Sequence, residues 1–145
     1  MKHLLKSTMD MVKSDLEYTG EAPGKDEWLT YARSILGNPD CEDYCLSYRE
    51  ILLCKGIPDN AMLLVAGRLK RGRYKGDMHM VLLVNNQWIL DLLERKPIAA
   101  DRYFSKTMDR QGFISPDGVY WGNTRLWGRE EDPRWPYPIV TNTTA

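Results

Sequence analysis

The sequence predicts an α+β domain with an antiparallel sheet, because apolar residues recur at helical spacing through the first third of the chain and switch near Ala61 to two-residue alternation in short β-rich runs. Helices first and strands later favour segregated layers over alternating β-α-β units. At 145 residues the chain fits one domain, residues 1–145, with a core of its own.

Met1, Leu4, Leu5, Met9, Val12 and Leu16 recur at helical spacing and predict an amphipathic helix over 1–16. Thr19 to Lys25 holds Gly20, Pro23 and Gly24 and reads as a loop. A second helix is expected over Asp26 to Leu36, with Trp28, Leu29, Ala32, Ile35 and Leu36 inward and Gly37 as its stop. The third carries the clearest signals: Asp40 as N-cap, acids in the first turn, an apolar stripe of Cys41, Tyr44, Cys45, Tyr48, Ile51 and Leu52, then Gly56 and Pro58 as terminators. Strands are expected over Met62 to Arg68, His79 to Val84 and Trp88 to Leu93. After Pro97 the pattern weakens, and residues 112–145, rich in Gly, Pro and aromatics such as Tyr120, Trp121, Trp127, Trp135 and Tyr137, are expected to wrap and cap the core.

The 20 basic and 20 acidic residues cancel, so no global field recruits nucleic acid or an anionic membrane. Three cysteines without a Cys-x-x-Cys pair argue against a disulfide framework and a zinc site. Asp10 and Lys13 interrupt what a secretory peptide would need as an apolar stretch, and no run approaches the roughly 20 apolar residues of a membrane span. A cytoplasmic location and a monomer are the expectation.

Cys41, His79 and Asp91 occur in the order nucleophile, base, orienter, and thiol chemistry needs all three: a thiolate, a group to take its proton, and a group to orient that base. At the first turn of a helix, the Cys41 sulfur meets unpaired N–H groups and the positive end of the helix dipole, which favour thiolate and can hold an oxyanion. Asp40, Glu42 and Asp43 push the other way. At about 100° per residue Asp43 falls roughly opposite Cys41, so solvent is expected to screen part of that repulsion. Capping is the ordinary role of these acids; a calcium site at Asp40, Glu42 and Asp43 is the alternative. Cys45 and Cys54 read as small buried hydrophobes.

Of the two histidines, His79 is the one placed to serve Cys41. A three-residue loop of Asn85, Asn86 and Gln87 would set Val84 opposite Trp88 and Val81 opposite Asp91, bringing Asp91 to the His79 face; a two-residue turn would send it to the other face. Asp91 lies between Leu90 and Leu92, where a buried carboxylate needs a partner. Just before His79, Gly67 to Gly76 holds Arg68, Lys70, Arg71, Arg73 and Lys75. This loop is either a solvated hairpin tip or a clamp for an acidic stretch of substrate, with Arg71 and Arg73 as the binding residues.

Asp40-Cys41-Glu42-Asp43-Tyr44, Lys55-Gly56-Ile57-Pro58, His79-Met80-Val81-Leu82 and Leu90-Asp91 resemble, in order, motifs of the bacterial transglutaminase-like cysteine peptidases, as does Leu16-Glu17-Tyr18 followed by Asp26-Glu27-Trp28. The resemblance runs from Leu16 to Trp121 and implies a papain-like fold, Cys41 as nucleophile, His79 as base and then acid, and Asp91 as orienter. It also implies calcium near Asp40, Glu42 and Asp43, as in some relatives. Asn38-Pro39 stands where the family tends to have glycine, Leu92 where asparagine often follows the aspartate, and Cys45 where alanine is common. The expected activity is a thiol hydrolase cleaving a peptide or amide bond through an acyl-enzyme. Acyl transfer to an amine, or a non-catalytic binding domain that kept the fold, are its rivals.

Overall fold

The computed structural model describes residues 1–16, 41–115 and 118–121. The expected helix at Asp26 to Leu36, the cap Asp40 and the aromatics Trp127, Trp135 and Tyr137 lie outside the described residues. Helix α1 (Lys2–Asp15) buries Leu5, Thr8, Met9 and Val12, and the Thr8 hydroxyl donates to the Leu4 carbonyl at 2.9 Å instead of being left dry. Met1 is 53% exposed, so the apolar stripe begins at the first full turn inside the helix.

Helix α2 (Cys41–Cys54) ends where the sequence places its stop. Gly56 adopts φ 96°, its N–H donates to Leu53 O at 3.1 Å, and the Ile57 N–H donates to Leu52 O at 3.0 Å. That pair of bonds is a Schellman closure, which needs a left-handed residue that glycine supplies without a Cβ penalty.

A 3-10 turn (Asp59–Ala61) leads into β1 (Met62–Leu69) and β2 (Met78–Val84), followed by β3 (Trp88–Leu90) and β4 (Ile98–Ala99). Helix α3 (Ala100–Lys106) then precedes β5 (Met108–Ser115) and β6 (Gly118–Trp121). The six strands run antiparallel in the order β4-β3-β2-β1-β5-β6. The expected wrap therefore begins too early: Gly112 to Ser115 and Gly118 to Trp121 are paired strands, whose backbone groups are satisfied by the ladder. The expected third strand is also too long, for it ends at Leu90, and the reason lies in Asp91.

Both faces of the sheet are covered, which explains why β1 and β2 read as near-continuous apolar runs instead of alternating ones. Leu64, Ala66, Leu82 and Val84 pack with Leu5, Met9 and Val12 of α1 and Tyr44, Cys45, Tyr48 and Leu52 of α2. Their neighbours Leu63, Val65, Val81, Leu83 and Ile89 pack on the other side with Tyr103 and Phe104 of α3, Met108 and Phe113. Each fully buried Leu or Phe contributes about 1.5–3 kcal/mol over leaving it exposed. Between Ala66 and Gly67 the β1–β5 register shifts, and a Cβ on Gly67 would collide with the Asp109 carbonyl oxygen. Glycine is required there so that the bulged strand can approach β5 directly opposite His79. No helix among the described residues is long and apolar enough to cross a membrane.

Candidate active site

The β2–β3 hairpin follows the three-residue arithmetic. Val84 pairs with Trp88, Leu83 with Ile89 and Leu82 with Leu90. Asn85 and Asn86 take φ values of 55° and 53°, and the Gln87 N–H closes the turn on Val84 O at 3.0 Å. Asparagine tolerates this left-handed backbone better than other residues with a Cβ, so the Asn-Asn pair fixes the register that aims Asp91 at His79.

Asp91 then leaves the strand. Its Oδ1 accepts the Leu93 N–H at 2.9 Å, and the Glu94 N–H donates to its carbonyl at 3.0 Å, so the chain turns where a longer strand would continue. The carboxylate is 1% exposed, and Oδ1 also meets His79 Nε2 at 2.6 Å. The Tyr103 hydroxyl donates to Oδ2 at 2.7 Å. Burial pushes the Asp91 carboxyl upward, but the bond and charge of His79, the Leu93 N–H and the Tyr103 hydroxyl outweigh it and hold the group below the ordinary aspartate range. Tyr103, fully buried beside this anion, is driven well above the usual phenol range, first by burial and then by the Asp91 charge. It is therefore a donor at any working pH.

An ionised carboxylate only accepts, so the proton between the two groups sits on His79 Nε2. His79 Nδ1 is thereby left as the ring atom able to exchange a proton with a third group.

His79 is 8% exposed and opens on a cleft at the end of the sheet where β1 finishes, β2 starts and β3 has just ended. Cys41, Leu69, Tyr74, Asp77, Met78, Leu92 and Leu93 complete its lining. Cys41 is the first residue of α2 and half-buried, whereas Cys45, one turn later, is 1% exposed and lies 3.4 Å from Met80 O. Cys54 is exposed, not buried as its residue type suggested, because it falls on the solvent side of the last turn.

The acids beside Cys41 behave differently from the sequence expectation. Glu42 accepts from Cys41 Sγ at 3.4 Å, and Asp43 is fully buried instead of facing solvent. Solvent therefore does not screen Asp43, and the positive end of α2 favours an acid at this position. As calcium donors, Glu42 and Asp43 fall short by themselves: calcium takes 6–8 oxygens, and among the described residues no group of three His, Cys, Asp or Glu side chains is placed to hold a metal ion.

Arg71 and Arg73 line a second, larger cavity of about 260 Å³ with Leu69, Gly72, Tyr74, Asp91, Leu93, Glu94 and Thr107. Leu69, Tyr74 and Leu93 are common to both hollows, so the basic loop adjoins the cleft. Two side chains with a bearing on the site escaped the sequence reading. Tyr103 lies in a stretch without a clear period, and nothing in its spacing marks a hydroxyl that must reach Asp91. Lys13, in the last turn of α1, donates to the Glu94 carbonyl and braces the turn that begins at Asp91; only the chain reversal between distant elements brings them together.

The profile of the bacterial transglutaminase-like cysteine proteinases (BTLCP) matches residues 5–102. The fold is similar to that of LapG from Legionella pneumophila. The calcium-bound form superposes with a TM-score of 0.69 at 19% identity, covering 83% of this chain and 68% of that one. The EGTA-treated form gives 0.67 at 21%, covering 85% and 68%. No curated protein sequence matches the chain.

Proposed function

Because this chain belongs to the bacterial transglutaminase-like cysteine proteinases and is a cysteine peptidase, we propose that Cys41, His79 and Asp91 form its catalytic triad and hydrolyse a peptide or amide bond through an acyl-enzyme. The observation that carries this reading is the buried His79–Asp91 pair at 2.6 Å, whose His79 stands in the wall of the same cleft that Cys41 lines.

In this reading, His79 Nδ1 takes the proton of Cys41 Sγ, and the thiolate attacks the scissile carbonyl carbon. The N–H groups at the start of α2 stabilise the tetrahedral oxyanion. Collapse breaks the C–N bond, and the amine leaves with the proton from His79, giving a thioester on Cys41. Water, deprotonated by the same ring, hydrolyses the thioester and returns the free thiol. Asp91 keeps the ring oriented and stabilises its charged form, and Tyr103 and the Leu93 N–H keep Asp91 from rotating. Tyr103 is a positioning residue in this scheme, since it touches Asp91 and not the reacting atoms.

The LapG structures, one calcium-bound and one EGTA-treated, raise the same ion for Asp40, Glu42 and Asp43 here. The described donors do not make up such a site, and no step above runs through a metal.

The test is cleavage of a mixed peptide library, followed by mass spectrometry of the protein itself. Wild-type protein should cut the library and gain an acyl adduct on the Cys41 peptide at short times, whereas Cys41→Ala should do neither. Cleavage by Cys41→Ala at the wild-type rate would reject the assignment.

A further inference from the structure

The cavity beside the cleft carries two arginines that the triad does not use. Of the loop's cations, Arg68 Nη1 is spent on the Gly76 carbonyl at 3.0 Å, and Lys70 Nζ on the carbonyls of Phe104 and Ser105 at 3.2 and 3.1 Å. Those bonds, with the Gly76 N–H on Leu69 O at 2.8 Å and the Leu69 N–H on Asp77 O at 3.1 Å, fix the base of the loop. Arg71 and Arg73 project from it into the cavity rim, with Arg73 lying 5.6 Å from the Tyr74 ring centroid, a stacking that steadies the guanidinium.

Two carboxylates, Asp91 and Glu94, also line this space. Asp91 is already committed to His79, Tyr103 and the Leu93 N–H. The Glu94 carboxyl is pushed upward, first by burial and then by the Asp91 charge, against the pull of Arg71 and Lys13, so it offsets part of the arginines' charge. The cavity is continuous with the cleft through Leu69, Tyr74 and Leu93, and its apolar lining suits the methylene stem of a side chain whose head meets the two guanidinium groups.

Building on the peptidase assignment, we propose that this cavity is a substrate subsite that selects an aspartate or glutamate close to the scissile bond, with Arg71 and Arg73 as its specificity-determining residues. The mechanism needs no such preference, so the subsite sets which peptides are cut and not how.

The experiment is cleavage-site profiling on a proteome-derived peptide library, comparing the protein with Arg71→Gln/Arg73→Gln and with Arg71→Glu/Arg73→Glu. The subsite predicts that Asp and Glu are enriched at one fixed position by roughly tenfold over Asn and Gln. That ratio should fall to near one in the glutamine pair, and Lys or Arg should replace the acids in the glutamate pair. High salt should shrink the wild-type ratio, because exposed charges are screened. Cleavage without acidic enrichment, or enrichment that survives the glutamine pair, overturns the subsite while leaving the peptidase intact. A library left uncut by every form overturns the peptidase reading and the subsite with it.

Discussion

The two faces of the sheet are built from the same alternating residues but hold different kinds of layer. On the α1 and α2 side, Leu5, Met9, Val12, Tyr48 and Leu52 meet Leu64, Leu82 and Val84 in a contact whose one polar side-chain atom is the buried Tyr48 hydroxyl, which has no hydrogen-bond partner among the described residues. On the α3 side, the apolar packing of Val65, Val81, Leu83, Ile89 and Phe113 encloses Tyr103, whose hydroxyl holds Asp91, which in turn holds His79. The first layer supplies cohesion and the helix whose first residue is Cys41; the second supplies a satisfied chain of polar groups in a place where an unsatisfied one would be costly. The contrast teaches that activity and stability can be separated on one face and not on the other.

The strongest way to break that contrast is at Asp91. Asp91→Ala leaves the Tyr103 hydroxyl, the Leu93 N–H and His79 without their acceptor, and removing one partner from a buried pair costs about 3–5 kcal/mol. Peptide cleavage should fall by roughly 10³–10⁴-fold as the ring loses its orienter. Equilibrium denaturation alongside cleavage kinetics checks both; a loss of stability with the rate intact would detach Asp91 from the chemistry. Leu52→Ala, on the other face and fully buried, should cost a comparable 2–5 kcal/mol but leave the rate of the folded protein near wild type.

Tyr103→Phe removes one hydrogen bond to a charged acceptor, worth about 1.5–3 kcal/mol. Because Asp91 is held below its ordinary range, its ionisation stabilises the fold above the unfolded-state value, and that contribution is lost as pH falls through the folded-state value. Without the Tyr103 donor the folded value rises toward the ordinary one, so acid unfolding should begin at higher pH in Tyr103→Phe. An unchanged acid midpoint would show that the hydroxyl does not hold the carboxylate. Smallest of all is the effect that calcium would have on stability: a rise of several degrees in the melting temperature over EGTA would place an ion at Asp40, Glu42 and Asp43, and coincident curves would leave these acids without a metal role.

Most of the scaffold is legible in the sequence where local chemistry decides it. Gly56 announces the end of α2, and the Asn85-Asn86-Gln87 loop sets the hairpin register that joins Asp91 to His79. The readings that failed are those in which a distant partner decides. Trp88 to Leu93 looks like one strand, yet Asp91 ends it by capturing the Leu93 N–H. Asp43 points away from Cys41 on a helical wheel, yet the packing around α2 buries it. Tyr103 carries no local signal, since its importance comes from a carboxylate delivered by another element.

The most direct measurement of the central claim is the rate of Cys41 alkylation by iodoacetamide across pH, read by mass spectrometry beside Cys45 and Cys54 and repeated in His79→Ala. An activated nucleophile predicts fast, selective modification of Cys41 with an apparent pKa well below the free-thiol value of about 8.5, lost when His79 is removed. Slow modification of Cys41 that ignores the loss of His79 would contradict the triad.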